Sequence, residues 1–165
     1  MILPLVRTDH PVLRRGADMI TRFDDPALQK LIDDMIPTMY ERDGIGLAAP
    51  QVNYSLRLAV IVPDPDRYEE YKKESREGTV LINPRIIRHS FRKEAHEEGC
   101  LSVPGIFGPV RRYMSVTAEY QDRNGQTHTI KGTGLLARVL QHETDHLNGT
   151  LFIDKSTRLY KVTAL

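Results

Sequence analysis

The chain has 165 residues and a formal net charge of +1, and 40% of its residues are hydrophobic and 27% are charged. These values are typical of one globular domain over residues 1–165, and the small net charge excludes a general attraction to nucleic acid or to an anionic membrane surface. The single cysteine excludes an internal disulfide, and no stretch approaches the ~20 apolar residues of a membrane span, so we expect a cytoplasmic protein.

The first predicted helix begins at Pro26, because the side chain of Asp25 can cap it and proline is favoured in the first turn. Apolar residues then recur at three-and-four spacing and predict one buried face: Leu28, Leu31, Ile32, Met35, Ile36 and Met39. Pro37 is expected to kink this helix or loosen its last turn, and Gly44 is expected to end it.

Residues 44–51 (Gly-Ile-Gly-Leu-Ala-Ala-Pro-Gln) form a segment rich in small side chains. Two glycines and two alanines let another backbone approach closely and offer an edge to an extended peptide. Gln51 adds a neutral amide donor that suits an oxyanion. A simple glycine-rich turn after a helix is the alternative interpretation, and the spacing does not fit a phosphate-binding loop.

Apolar runs at residues 58–62 and 79–83 predict two buried strands, and the second is expected to continue through 85–89. Between these strands, residues 64–78 contain six acidic and four basic side chains, which predict a solvated loop or a short exposed helix. Alternation in residues 115–121 and a turn at Asn124-Gly125 predict a hairpin with residues 126–131.

The last long helix is predicted over residues 134–148, with Gly149 ending it. One row of this helix contains Leu135, Val139, His142 and His146, and a second contains Leu136, Leu140, Glu143 and Leu147. A third, more polar row contains Arg138, Gln141, Asp145 and Asn148. Both histidines therefore continue an apolar row that is expected to face the interior of the protein.

The segment from His142 to His146 has the pattern His-Glu-x-x-His, which on a helix lets both imidazoles reach one ion. Glu143 can then approach a water molecule without binding the metal itself. Two buried histidines with other hydrogen-bond partners are the alternative, but that arrangement is costly in a core. A third ligand is needed, and Cys100 is preferred over Asp154, the only carboxylate that follows His146.

Three segments together resemble the signature motifs of the peptide deformylases: residues 44–51, 98–102 (Glu-Gly-Cys-Leu-Ser) and 141–149 (Gln-His-Glu-Thr-Asp-His-Leu-Asn-Gly). The resemblance implies an α+β fold in which antiparallel sheets pack around the helix that carries the histidines. It also implies a hydrolase that removes the N-formyl group from the formyl-methionine of nascent polypeptides and releases formate. The implied cofactor is one divalent ion, Fe²⁺, with Zn²⁺, Ni²⁺ or Co²⁺ as possible replacements in a purified sample.

The resemblance also assigns roles residue by residue. Cys100, His142 and His146 are the implied metal ligands, and Glu143 is the implied proton carrier. The Gln51 side chain and the Leu101 backbone N–H are the implied donors to the oxyanion. The implied substrate-binding residues are Ile45, Gly46, Glu98, Gly99, Leu135 and Val139, and Glu98 is expected either to shape the methionine pocket or to orient Arg112.

Three departures from the family pattern carry their own expectations. Arg138 stands where apolar residues are usual and is expected to alter preference at the methionine pocket, and residues 64–78 are expected to border the substrate groove. The chain stops soon after Asp154, which argues against a ribosome-docking helix, and we expect a monomer. A general metallopeptidase and a non-catalytic formyl-peptide binder are the two alternative functions.

Overall fold

The computed structural model describes residues 1–163, and within them it has an α+β fold with two antiparallel sheets. The helices are α1 (Pro26–Glu41), α2 (Tyr68–Glu74) and α3 (Gly134–Leu147). The strands are β1 (Gly46–Ala48), β2 (Leu58–Ile61), β3 (Thr79–His89), β4 (Lys93–Cys100), β5 (Val103–Tyr113), β6 (Ser115–Gln121), β7 (Thr127–Thr133) and β8 (Tyr160–Lys161). The predicted fold class is confirmed.

The larger sheet has the strand order β1-β2-β3-β6-β7, and the smaller one has the order β4-β5-β8. Helix α3 contacts strands of both sheets, and α1 packs on β1 and β2. The predicted single domain extends to residues 164 and 165, which lie outside the described residues, and it stays a prediction. No helix within residues 1–163 is long and apolar enough to cross a membrane.

Helix α1 begins as predicted, with the Asp25 carboxylate accepting a hydrogen bond from the Ala27 N–H at 2.9 Å. The helix continues through Pro37 to Glu41. Its end differs from the prediction, because Asp43, with a φ of 57°, turns the chain instead of Gly44. A Cβ at Gly44 would lie 2.8 Å from Cδ1 of Leu101, so the end of that side chain would have to shift to admit one.

Most of the larger sheet agrees with the predicted strands. The run at residues 58–62 forms β2, the two runs on either side of Pro84 form the single strand β3, and β6 and β7 form the predicted hairpin. Two register shifts interrupt the pairing of β3 with β6, one between Ile82 and Arg85, where Asn83 has a φ of 50°, and one between Ile86 and Arg88. Residues 64–78 contain the short helix α2, which has no buried residue, as the charge density predicts.

Helix α3 buries Arg138 and Gln141 of its most polar row, because these two residues face the smaller sheet, whereas Asn148 at the end of the row is exposed. Gln141 accepts a hydrogen bond from the Tyr113 N–H and donates one to the Tyr113 carbonyl, both at 3.0 Å. Leu135, expected on an inward-facing row, is 36% exposed because it lies in the first turn of the helix. Gly149, with a φ of 75°, follows the helix as predicted.

Two strands of the smaller sheet, β4 and β5, have no counterpart among the predicted strands. The charged residues of β4 give no apolar alternation, so the sequence indicates only a turn at residues 98–102. In the structure, β4 includes Cys100, and only Leu101 and Ser102 separate it from β5. The hairpin thereby brings the end of β4 against α3.

Candidate metal centre

Three side chains with metal-binding atoms converge where the end of β4 meets α3. The Cys100 sulfur lies 3.3 Å from Nε2 of His146, which lies 3.2 Å from Nε2 of His142. The three ligand atoms all lie within 4.8 Å of one another. Helix α3 supplies the two imidazoles from consecutive turns of one face, and β4 supplies the thiol.

This donor set fits one divalent ion. A thiolate and two imidazoles suit zinc and ferrous iron, and three protein ligands leave a position for water or substrate. The Nδ1 atom of His146 is buried and has no hydrogen-bond partner among residues 1–163. The polar contacts of this ring, with Cys100 and His142, are therefore made by Nε2. The two facing Nε2 atoms and the sulfur therefore form a group that a shared cation would stabilise.

The surroundings of the two rings shift their pKa values in opposite directions. Burial alone would lower the pKa of His142, but hydrogen bonds to Cys100 and Glu98 outweigh burial and hold that pKa well above 6.5. Burial and the neighbouring His142 hold the pKa of His146 well below 6.5. A ligated imidazole must be neutral at its binding atom, so metal binding requires proton release from this pair.

Glu98 fixes the orientation of the His142 ring. Its Oε1 atom lies 2.9 Å from Nδ1 of His142, which leaves Nε2 facing Cys100 and His146. Carboxylates that hold the far nitrogen of a ligating histidine set its tautomer and raise its basicity. The predicted roles of Glu98 did not include this contact, because 44 residues separate the two side chains in sequence.

Arg112 binds the same carboxylate with two hydrogen bonds of 2.9 Å, one to each oxygen, and also donates to Asp145 at 2.5 Å. Both Arg112 and Glu98 are almost fully buried. Burial raises the pKa of Glu98, but hydrogen bonds from Arg112 and His142 outweigh it and hold the pKa at about 2. Glu98 is therefore an anion at neutral pH, and its charge is compensated within the protein.

Glu143 follows His142 on α3 and is 4% exposed. Its Oε2 atom has no hydrogen-bond partner in the described part of the chain. Burial raises the pKa of Glu143 to about 7, although the neighbouring His142 opposes the shift. A carboxyl group with such a pKa can both accept and donate a proton near neutral pH.

The side chain of Gln51 lies beside the Cys100 thiol. Its side-chain oxygen accepts a hydrogen bond from the Ala48 N–H at 2.9 Å, which fixes the orientation of the amide. The amide nitrogen then lies 3.5 Å from the Cys100 sulfur and 3.3 Å from Oγ of Ser102. Leu101, between these two residues, occupies the turn of the β4–β5 hairpin.

A cavity of about 460 Å³ opens beside these groups, between residues 43–46 and residues 97–101. The six predicted substrate-binding positions all line it: Ile45, Gly46, Glu98, Gly99, Leu135 and Val139. Gln51, Cys100, Leu101, His142 and Glu143 line it as well. Phe107 of β5 also lines the cavity and was not predicted, because β5 itself gave no signal in the sequence.

The family model of polypeptide deformylase matches residues 2–162 of the chain. The chain belongs to the polypeptide deformylase family. A peptide deformylase from Dehalococcoides mccartyi is 50% identical over 144 residues, which cover 87% of this chain and 80% of that protein.

Two solved structures of peptide deformylases share the fold. The crystal structure from Synechococcus elongatus, in complex with actinonin, has a TM-score of 0.86 at 43% identity and covers 94% of this chain and 81% of that one. The structure from Thermotoga maritima has a TM-score of 0.85 at 39% identity and covers 96% of this chain and 99% of that one.

Membership of the deformylase family gives the activity. The chain is a hydrolase that removes the N-formyl group from nascent polypeptides, and a catalytic metal is implied by the family. The predicted activity is confirmed. These comparisons favour a deformylase over a general metallopeptidase and over a non-catalytic formyl-peptide binder.

A first prediction concerns Gly46, the first residue of β1. A Cβ at Gly46 would overlap the carboxylate of Glu143. We expect Gly46→Ala to lower kcat/KM for formyl-Met-Ala-Ser at least about tenfold, because the added methyl group would displace the Glu143 carboxylate from its position beside the candidate metal ligands. Formate release measures this, and Gly16→Ala is the control, since a Cβ there meets no atom within 4 Å. Equal activity in both variants would contradict the prediction.

Proposed function

We propose that Cys100, His142 and His146 bind one divalent metal ion in this deformylase, and that Glu143 transfers the protons of the reaction. The convergence of one sulfur and two ring nitrogens within 4.8 Å carries this proposal. Fe²⁺ is the ion expected from the family, and the same donor set also suits Zn²⁺, Ni²⁺ or Co²⁺. A bound divalent ion would polarise the formyl oxygen and lower the pKa of a water molecule.

Glu143 provides the acid–base chemistry in this proposal. Oε2 of Glu143, which has no partner among residues 1–163, accepts a proton from the water that attacks the formyl carbon. A carbon–oxygen bond forms, and the carbon–nitrogen bond of the formamide then breaks. Glu143 returns its proton to the leaving nitrogen, so the products are formate and a free amine.

Gln51 and Leu101 stabilise the negative charge that develops on the formyl oxygen. The amide of Gln51 is oriented by the Ala48 N–H, so its nitrogen is directed towards the thiol side of the cavity. The backbone N–H of Leu101 is the second donor, because Leu101 directly follows Cys100 in the hairpin turn. Donors that are held in place before the reaction pay no reorganisation cost during it.

The substrate lies along β1 as an added strand. Strand β1 is at the edge of the larger sheet, and Gly46, although buried, lines the cavity, so a peptide bound there would meet this edge. Ile45, Leu135 and Val139 form the apolar wall for the methionine side chain, and Glu98 and Gly99 form the opposite side. Because nascent chains are made in the cytoplasm, we expect the enzyme to act there. Its monomeric state stays a prediction.

The metal-binding residues are tested by elemental analysis after anaerobic purification. We expect about one ion per chain in the unmodified protein and less than about a tenth of that in His146→Ala, because two ligands do not hold a catalytic metal firmly. His128→Ala is the matched control, since His128 pairs with Asp122 far from the centre. Full metal content in His146→Ala would rule out the proposed ligands.

A further inference from the structure

Arg138 places a cation in the wall of the methionine pocket. It lines the same cavity as Leu135 and Val139, and it lies on α3 one turn after Leu135. The side chain is 11% exposed, so few water molecules can solvate it. A buried guanidinium in a pocket for an apolar side chain needs a physical explanation.

The fold uses only part of the hydrogen-bonding capacity of this guanidinium. Nη1 of Arg138 donates to the Val110 carbonyl at 3.0 Å and to Oε2 of Glu98 at 3.1 Å, and Nη2 donates to the Glu94 carbonyl. These three bonds anchor the β4–β5 hairpin to α3. An arginine has five N–H donors, so Nε–H and one N–H of Nη2 have no acceptor in the described part of the chain.

Neutralising Glu98 does not require Arg138. Arg112 already binds both oxygens of that carboxylate, and His142 adds a third contact. Nε of Arg138 is not fully buried, so water can bind its N–H at the cavity. A thioether is a weak acceptor, so a methionine side chain that displaces this water leaves the N–H unpaired. An unpaired buried donor lowers affinity, whereas an oxygen at the same position would restore the hydrogen bond.

We propose that Arg138 extends the substrate range of this enzyme to polypeptides whose N-terminal formyl-methionine is oxidised to the sulfoxide. The proposal rests on the function proposed above, because it concerns the same pocket. The sulfoxide oxygen accepts a hydrogen bond from the guanidinium, and the rest of the side chain contacts Leu135 and Val139. The reaction is unchanged: water and the formamide give formate and an amine, and the sulfur is neither oxidised nor reduced.

The test compares kcat/KM for three peptides: formyl-Met-Ala-Ser, its methionine sulfoxide form and its norleucine form, which lacks an acceptor. We expect the unmodified, metal-loaded enzyme to cleave the sulfoxide peptide within about threefold of the methionine peptide. In Arg138→Met, which keeps a side chain of similar length, we expect the ratio of sulfoxide to methionine cleavage to fall at least tenfold. The ratio of norleucine to methionine cleavage should change less than threefold.

Arg85→Met is the control, because Arg85 is an exposed arginine paired with Glu119, and it should leave every ratio unchanged. Substrate ratios do not depend on the fraction of active enzyme, so partial unfolding of Arg138→Met does not affect them. If that variant does not fold, the unmodified enzyme still tests the proposal. Cleavage of the sulfoxide peptide more than tenfold slower than cleavage of the methionine peptide overturns it. An unchanged ratio in folded Arg138→Met overturns it too. Failure to cleave any of the three peptides would instead refute the function itself.

Discussion

Replacing Glu143 with glutamine is expected to lower kcat for formate release from formyl-Met-Ala-Ser by about 10³- to 10⁴-fold. Glutamine has the same length as glutamate but can neither take a proton from water nor deliver one to an amine. The carboxylate is buried beside the ligand cluster and is not a member of that cluster. The metal content should therefore stay at about one ion per chain.

Separate values of kcat and KM for Glu143→Gln distinguish an effect on the chemical step from an effect on substrate binding. Because Glu143→Gln should still bind the formyl peptide, we expect KM to change much less than kcat. Glu41→Gln, at the exposed end of α1, is the matched control and should keep full activity. Substantial formate release by Glu143→Gln, with its metal bound, would show that another group carries the proton. Loss of metal from the variant would point instead to Glu143 as a ligand.

Replacing Glu98 with glutamine should have two large effects at once. We expect the free energy of unfolding of the metal-free protein to fall by about 3 kcal/mol, because the buried Arg112 loses its bidentate partner and keeps only Asp145. We also expect metal affinity to fall about 10- to 100-fold, since the neutral amide holds His142 less firmly.

Denaturant unfolding and competition with a metal chelator measure these two effects separately. Glu94→Gln is the matched control in the same strand, because the Glu94 side chain is 54% exposed and its ion-pair partner among residues 1–163 is His96. We expect it to change the free energy of unfolding by less than about 0.5 kcal/mol. If Glu98→Gln is as stable as this control, the hydrogen bonds between Glu98 and Arg112 contribute less to the free energy of unfolding than their geometry indicates.

Local patterns in the sequence were sufficient for much of the fold. The cap at Asp25, the apolar stripe of α1 and the Asn124-Gly125 turn act within a few residues, so the structure follows them. The end of α1 is an exception. Asp43 adopts the left-handed conformation there, and Gly44 instead lies against the side chain of Leu101, which is distant in sequence.

The ligand cluster was predictable because its spacing is a local property of a helix. Residues 142 and 146 lie on one face of any helix, and the chain has a single cysteine to complete the set. The role proposed for Glu143 rests on the same helix, because its position next to His142 places it beside the candidate ligands. These inferences needed the chemistry of the side chains but no knowledge of the sheets.

The supporting contacts of the site depend on the tertiary structure. The contacts of Glu98 with Arg112, Arg138 and His142 span 14, 40 and 44 residues. They exist because the β4–β5 hairpin pairs in one register and packs against α3, whereas β4 is too charged to be recognised as a strand. The sequence by itself therefore determined which residues are proposed as ligands and as proton carrier, since they lie on one helix and at one cysteine. Only the packing of the hairpin on α3 decided how the ligands are oriented and which charge borders the pocket, because long-range contacts leave no periodic pattern in the chain.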